Sequence, residues 1–459
     1  MQRIHFIGIG GVGMSGVAEV LHNLGYTVSG SDIATNYNTE RLAGMGVSIH
    51  IGHAGSNVGS AEVVVTSTAV HDNNPEVIYA IDHGITIVPR AMMLAELMRF
   101  KSGIAIAGTH GKTTTTSLCA EVLSSCGLDP TFIIGGKLAV TGSNAKLGSG
   151  EYLIAEADES DASFLYLHPL IAVVTNIDLD HMETYAHDEN KLKDTFVQFL
   201  HQLPFYGRAI LCANDARVRS IIPQIKRPIL TYGLDSSCDL YAKDIKNNNG
   251  RMEFLVCSAK LQLREYPVSL NLYGIHNVLN ALAVIAVGLE CNVSLEQMAP
   301  AFAKFHGVGR RCQHYPDITW NSGKSAKLID DYGHHPVELK ATISALKDAY
   351  PQKRMVLLFQ PHRYTRTRDL FADFVSVLKT VDKLILLDVY PAGEEPIACA
   401  DSQALVTAIN DHGVANAELA SDLPAAKSLL SNILQNGDLV VTMGAGSIGK
   451  LPQLLLEHA

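Results

Sequence analysis

Short apolar runs rich in β-branched residues alternate along this chain with longer segments whose apolar positions recur at helical spacing. Ile4–Gly8 reads as a strand, Gly13–Leu24 as a helix and Thr27–Gly30 as a second strand. Glu62–Thr66 and Thr86–Pro89 are further short strands, and the Leu- and Met-rich Arg90–Arg99 is a helix that closes a first domain, residues 1–100. A second domain, 101–312, holds the apolar run Ile104–Ala107, the strands Tyr152–Glu156 and Ala172–Asn176, and an Ala-rich helix, Val278–Gly288. The polar Asn247–Gly250 is hairpin-like and predicts antiparallel structure near 230–270. A third domain, 313–459, carries the strands Lys327–Asp330, Met355–Gln360, Lys383–Asp388 and Leu439–Met443 with helical stretches between them. Strands alternating with helices predict an α/β chain of parallel sheets and right-handed crossovers. No repeat, heptad or low-complexity segment interrupts the pattern.

Length and composition agree with that division. A chain of 459 residues suits about three domains. Its hydrophobic fraction of 47% and charged fraction of 18% are those of a soluble globular protein. The net charge of −10 argues against a general binder of nucleic acid or anionic membrane, while leaving room for a local basic pocket. Eight scattered cysteines form no C-x-x-C and read as reduced thiols. With no signal-like start and no long apolar stretch, the expected location is cytoplasmic.

The chemistry concentrates where strands end. Gly108-Thr109-His110-Gly111-Lys112-Thr113-Thr114 follows Ile104–Ala107 and opens a helix. Backbone N–H groups at a helix N-terminus, a lysine and a threonine hydroxyl suited to Mg²⁺ together meet the needs of nucleotide phosphates. The loop is shorter than G-x-x-x-x-G-K-[ST], since Ile106 stands where the first glycine would be. Glu156-Ala157-Asp158-Glu159-Ser160-Asp161 also follows a strand, and a carboxylate there can hold Mg²⁺, which prefers oxygen ligands. Asn176, Asp180 and His181 come at the end of the next strand, at the same sheet edge, and a metal or phosphate role is expected of His181. At the N-terminus, Gly8-Ile9-Gly10-Gly11-Val12-Gly13 with Asp32 satisfies the dinucleotide fingerprint, although such a loop can hold any nucleotide diphosphate.

Other candidates lie further on. His276 and Asn280, four apart, share a helix face and can meet a base or ribose, whereas Asn277 can equally be a helix cap. Arg310 and Arg311 offer rigid cations for phosphoryl oxygens. Asp330-Asp331-Tyr332-Gly333-His334-His335-Pro336 and Phe359-Gln360-Pro361-His362-Arg363-Tyr364-Thr365-Arg366-Thr367-Arg368 each follow a strand, the second, with three arginines and a histidine, reading as a carboxylate clamp. Met443-Gly444-Ala445-Gly446 lets backbone pack closely near a site.

These blocks, in this order, resemble the peptidoglycan-precursor ligases, the Mur ligases, over nearly the whole chain; the first and last blocks are most like those of the alanine-adding branch. The resemblance implies three domains: Rossmann-like, a central P-loop ATPase-like mixed sheet, and a C-terminal Rossmann-like domain. It implies a cytoplasmic, ATP- and Mg²⁺-dependent amide-forming ligase. Its substrates would be UDP-N-acetylmuramate and L-alanine, joined through an acyl phosphate with release of ADP and phosphate. That places it in cell-wall biogenesis and so in cell shape and division. No nucleic-acid or membrane partner is implied. Carried over residue by residue, the UDP-bearing substrate falls to Gly8, Gly10, Gly11, Gly13, Asp32 and Ser67. ATP falls to Gly108, Thr109, His110, Gly111, Lys112, Thr113 and Thr114 with His276, Asn277 and Asn280. Mg²⁺ falls to Thr113, Glu156 and His181, and the amino acid to His334, His362, Arg363 and Arg366. Lys112, Arg311, Asp331 and His334 would be catalytic, with His334 as general base. Sister ligases carry a carbamylated lysine at a position that is Phe196 here, so none is expected. Three readings compete: a nicotinamide-dependent oxidoreductase, a non-catalytic nucleotide-binding protein, and a relative that adds a peptide.

Overall fold

The computed structural model describes residues 2–136, 143–248, 250–260, 263–320, 323–411 and 416–457. The chain forms two compact units, Met1–Ile245 with Glu253–Asn271 and Val278–His306, and Lys246–Met252 with Leu272–Asn277 and Gly307–Ala459.

The first unit begins with a five-stranded parallel sheet in the order Ser48–Ile51, Thr27–Asp32, Arg3–Ile7, Val63–Thr66, Thr86–Pro89. The chain winds outward from Arg3–Ile7 first to one side and then to the other. Such a reversal leaves a crevice beyond the carboxyl ends of the central strands. The Gly8–Gly13 loop, Asp32 and Ser67 all leave strands at that edge. Ser48–Ile51 and the helix Pro75–Asp82 are additions to the predicted elements.

A ten-stranded sheet follows. Its order is Leu263–Leu270, Arg251–Ser258, Leu240–Asn248, Ile229–Gly233, Arg208–Cys212, Ile171–Val174, Ser102–Ala107, Tyr152–Glu156, Thr131–Ile133, Ala145–Lys146. The strands Ser102–Ala107 and Ile171–Val174 are almost entirely buried, so they read as continuous apolar runs rather than alternating ones. The expectation of antiparallel structure near 230–270 needs correction at its start. Tyr232 and Gly233 pair in parallel with Leu240 and Tyr241. From Leu240 onward, the link between Asn248 and Arg251 is too short for a crossover and permits only an antiparallel turn. Asn249 of the predicted hairpin lies outside the described residues.

Within this unit the helix Val12–Asn23 docks on the edge of the large sheet. The Asn144 amide donates to Val12 O at 2.6 Å, and Arg41 pairs with Glu19 while donating to Asn144 Oδ1 at 3.0 Å.

The second unit is built on five parallel strands in the order Ser325–Asp331, Leu439–Met443, Met355–Phe359, Lys383–Leu387, Asn416–Ala420. The short strands Gln313–His314 and Ile318–Thr319 run antiparallel to the first of these. Alternation sends Ile329, Leu357, Leu386 and Val441 to one core and Leu328, Val356, Ile385 and Val440 to the other, so helices cover both faces. Among the described residues, no helix is long and apolar enough to cross a membrane.

One polar cluster is buried in the first sheet's surroundings. Glu76 is fully buried and accepts from Ser31 Oγ (2.5 Å), Asn57 Nδ2 (2.7 Å) and Ala54 N (3.3 Å), with His5 Nε2 at 3.5 Å. Burial alone would raise its pKa, but the adjacent His5 imidazole and the bonds from Ser31 and Asn57 outweigh it and bring the carboxyl down to about 2. A carboxylate with a depressed folded pKa stabilises the fold above its unfolded pKa, and that stability fades as pH falls toward the folded value. Glu76→Gln should therefore cost roughly 1–3 kcal/mol at pH 7, measured by denaturant unfolding. The gap to the native chain should narrow between pH 5 and pH 2.5; a gap constant over that range would refute the assignment.

Candidate active site

The register of three parallel strands assembles the site in the first unit. Ile106 pairs with Glu156 and Ala107 with Val174, so the Gly108 loop, the acidic stretch and Thr175–His181 leave the sheet side by side. The loop bends through Gly108, at φ 126°, and Gly111, at φ 82°, conformations that L side chains rarely adopt. A Cβ on Gly108 would strike Thr175 Oγ1, and one on Gly111 would lie 2.9 Å from Asn280 Oδ1. Asn280 is itself buried.

Neighbouring loops hold the phosphate loop open. His110 N donates to Asn176 Oδ1 (2.9 Å), and His110 O accepts from Asn176 Nδ2 (2.8 Å) and Thr175 Oγ1 (2.7 Å). Asp178 N donates to Thr109 Oγ1 (2.8 Å), and Asp178 Oδ2 lies 3.1 Å from His110 Nε2. These contacts fix the loop before any phosphate arrives.

Lys112 opens the helix Lys112–Ser125 and folds back over the loop. Its ammonium donates to Gly108 O (2.8 Å), Thr109 O (3.2 Å) and Glu159 Oε2 (2.6 Å). Burial disfavours the charged amine, yet Glu159 and Asp158 together hold its pKa above the ordinary lysine value, so it remains a cation. Thr113 Oγ1 donates to Glu156 Oε2 at 3.2 Å, while Glu156 Oε1 accepts from Gly135 N at 2.6 Å. The two expected metal ligands Thr113 and Glu156 are thus brought together, and their oxygen donors fit a divalent cation. His181 has left-handed backbone at φ 54°, with its N–H donating to Asp180 Oδ1 (2.9 Å). Phe196 lies in the core, edge-to-face with Phe164.

The Gly8–Gly13 loop is held from within. Asp32 Oδ2 accepts from Gly10 N (2.8 Å), and Asn38 Nδ2 donates to Gly10 O (2.9 Å). One Asp32 oxygen is therefore engaged by the loop itself. Ser67 begins a turn closed by Val70 N onto Ser67 O (3.0 Å).

One helix, Ile275–Glu290, carries His276, Asn277 and Asn280. Asn277 lies inside its first turn and donates to Tyr273 O (2.7 Å), which is not a cap on an N–H group. Burial lowers the His276 pKa.

In the second unit, Asp330 is fully buried and accepts from Arg310 Nε (2.9 Å) and Thr442 Oγ1 (2.7 Å). Asp331 accepts from Cys312 N (2.8 Å) and Gly333 N (2.7 Å), so it orders the turn after its strand. Arg310 and Arg311 both stack over the Tyr332 ring, 5.2 and 5.1 Å from its centre. The amino-acid candidates cluster. The His334 and His362 rings are 5.6 Å apart, His362 stacks on Tyr390, and buried Arg366 directs Nη1 to His362 O at 3.4 Å. Arg363 has φ 71° and lies 3.7 Å from Glu394. His334 Nδ1 is 3.3 Å from Tyr332 O and 3.5 Å from Glu338. Burial, reinforced by His334 and Arg366, pushes the His362 pKa down to about 4. The glycine-rich Gly444–Gly446 segment packs against Gln360, where a Cβ on Gly444 would lie 2.7 Å from Gln360 O.

Sequence reasoning left Glu159 and Asn176 without assigned site roles. Both stand in strand-end blocks that the motifs marked, but their partners depend on strand register.

Three family descriptions match in sequence: "Mur ligase family, catalytic domain" over residues 3–102, "Mur ligase middle domain" over 106–288, and "Mur ligase, glutamate ligase domain" over 310–446. The chain is 59% identical to the UDP-N-acetylmuramate–L-alanine ligase of Laribacter hongkongensis, with 100% of this chain and 98% of that protein covered. It is 57% identical to the protein of the same name from Chromobacterium violaceum, covering 98% and 97%. Its fold matches the solved UDP-N-acetylmuramate-alanine ligase of Thermotoga maritima with a TM-score of 0.84 and 26% identity, covering 100% and 99%. The murein peptide ligase of Psychrobacter arcticus shares the fold at a TM-score of 0.74 and 23% identity, covering 100% and 98%. With sequence likeness of this extent along its whole length, the chain belongs to the Mur ligase family.

Proposed function

We propose that this chain joins L-alanine to the lactyl carboxylate of UDP-N-acetylmuramate at the expense of ATP, releasing ADP and phosphate, in peptidoglycan precursor synthesis. The observation that carries this reading is the preformed phosphate loop, with Lys112 charged and Thr113 hydrogen-bonded to Glu156 at 3.2 Å. The full-length likeness to ligases of that name supports the choice of substrates. The division is into 1–100 for the UDP-bearing substrate, 101–312 for ATP and 313–459 for the amino acid.

A carboxylate does not condense with an amine at neutral pH, because hydroxide is a poor leaving group. A lactyl carboxylate oxygen therefore attacks the γ-phosphorus, the bond to the β-phosphate oxygen breaks, and an acyl phosphate and ADP result. Backbone N–H groups at the start of the helix, from Gly111 to Thr114, and the Lys112 ammonium offset the charge on the phosphates. Thr113, Glu156 and His181 would hold Mg²⁺, which when bound supplies further neutralisation of phosphate charge. Asn280 flanks the loop at Gly111, and His276, Asn277 and Arg311 would serve the nucleotide. Asp331 positions the turn that carries His334.

The neutral amine of alanine then attacks the acyl carbon, and phosphate leaves as the amide forms. His334 takes the proton from the ammonium group. Arg366 and Arg363 pin the alanine carboxylate, and His362, neutral at pH 7 with its pKa near 4, adds a polar wall without charge. Gly8, Gly10, Gly11 and Gly13 give the UDP close backbone approach, while Asp32 and Ser67 border it.

The deciding experiment is phosphate release with ATP, Mg²⁺ and UDP-N-acetylmuramate, with and without L-alanine, together with product mass. Alanine-dependent phosphate and a product heavier by one alanyl residue are expected; release only with a preformed peptide would move the reading to a peptide-adding ligase. Lys112→Ala should abolish turnover in this assay while leaving thermal unfolding cooperative, and retained turnover would remove Lys112 from the mechanism. Arg366→Lys should raise the KM for L-alanine by about tenfold or more and leave the KM for ATP within about twofold, since an ammonium cannot reproduce the guanidinium fork. Equal changes in both constants would contradict the clamp.

A further inference from the structure

A lysine ammonium has three N–H donors, and those of Lys112 are all engaged within the protein, by Gly108 O, Thr109 O and Glu159 Oε2. A phosphate oxygen therefore reaches this cation only by displacing one of the three. Two of the acceptors are neutral carbonyls of the loop itself. The third is a carboxylate on the neighbouring acidic stretch, and it is the direct rival of a phosphate because both are anions drawn to the same ammonium.

Glu159 cannot follow the lysine when it turns. Its carbonyl accepts from Tyr185 OH and from Ala162 N (3.0 Å), and the next carbonyl, Ser160 O, accepts from Thr184 Oγ1 (2.6 Å). Its side chain is only 3% exposed, so little water would take the place of a departing ammonium. A buried carboxylate that loses its counter-ion is costly, and protonation removes the cost.

The groups around Glu159 favour that outcome. Lys112, from the helix Lys112–Ser125, stabilises the ionised carboxylate, whereas Asp158 on its own stretch opposes it. Asp158 remains ionised, with Lys112, the Ser160 bonds and Arg90 outweighing its burial. Tyr185 faces this acidic stretch as a neutral phenol whose pKa burial pushes up. Burial and Asp158 together outweigh Lys112 and bring the Glu159 carboxyl up to about 7, while the ammonium is held above the ordinary lysine value. The labile proton of the pair thus belongs to the carboxyl.

We propose that Glu159 is a positioning residue for Lys112, which holds the ammonium against the loop, yields it to the phosphates of incoming ATP, and takes up one proton from solvent as it does so. The ammonium stays a cation throughout, and the proton bonds to the carboxylate oxygen that the ammonium leaves. A neutral Glu159 no longer competes for the lysine, so the cation stays on the phosphates while the nucleotide is bound. This assignment rests on the ATP reading given above and deepens it by naming the group that the lysine leaves.

The test is calorimetric titration with ATP and Mg²⁺ alone, in two buffers of different ionisation enthalpy, which gives the protons taken up per ATP. At pH 7.5 the native chain should take up roughly half a proton or more, and at pH 5.5, where the carboxyl is already protonated, close to none. Glu159→Gln, which keeps the shape of the side chain and removes its titration, should take up less than about a fifth of a proton at pH 7.5. Uptake by Glu159→Gln equal to that of the native chain would overturn the proposal, since the proton would then go to another group. Binding of ATP by the native chain without proton uptake at pH 7.5 would also overturn it, and this arm decides even if the variant fails to fold. If the native chain bound no ATP, the ATP reading would fail and the proposal with it, a result distinct from binding without uptake.

Discussion

The site in the first unit depends on the register of Ser102–Ala107 between two parallel partners. Pairing Ile106 with Glu156 on one side and Ala107 with Val174 on the other sets three loops abreast. A slip by one residue would turn every side chain to the opposite face and separate Thr113 from Glu156. The apolar character of the three strands resists that slip, since all are buried on both sides. The polar clasp of Asn176 around the His110 peptide then locks the loop itself. A loop fixed in this way needs little reorganisation when charge develops on a phosphoryl group, which is where an ATP-dependent enzyme gains most.

The same arrangement explains why a buried lysine can serve. An ammonium removed from water would shed its proton unless acceptors replaced the lost solvent. Two loop carbonyls and Glu159 do so around Lys112. Glu159 in turn depends on its own fixed backbone, whose carbonyl accepts from Tyr185 OH. The acidic stretch after Tyr152–Glu156 therefore divides its labour. Glu156 faces Thr113, Glu159 faces Lys112, and Asp158 lies in the field of both Lys112 and Arg90.

Much of this was legible in the chain. Strand-then-glycine blocks identify loops at a sheet edge, and a Gly-Lys-Thr run states phosphate chemistry whatever the fold. The N-terminal glycines and Asp32 were also visible, but the glycine fingerprint by itself suits a dinucleotide equally well. What decided against an oxidoreductase was the second loop and its carboxylates. Less visible were partners set by pairing across strands. Asn176 was placed at the right sheet edge with no role assigned and clasps the loop peptide; Asp331, expected to be catalytic, has its two oxygens engaged by Cys312 N and Gly333 N. The parallel pairing of Tyr232 with Leu240 was hidden because a short loop normally signals a hairpin.

The second unit concentrates its charge differently. His362 lies between Tyr390 and His334 in a site that disfavours its protonated form, so the fixed positive charge near the strand ends rests on guanidinium groups. Arginine as a residue type keeps its charge on burial far more readily than histidine. A carboxylate at Arg366 would meet a planar guanidinium fork, while the neutral His362 imidazole beside it would accept or donate a hydrogen bond. Discrimination among small amino acids must then come from shape, and one methyl group is worth only about 1–3 kcal/mol in a pocket. An alanine site built this way would fix the carboxylate end firmly and leave glycine a weak but real competitor.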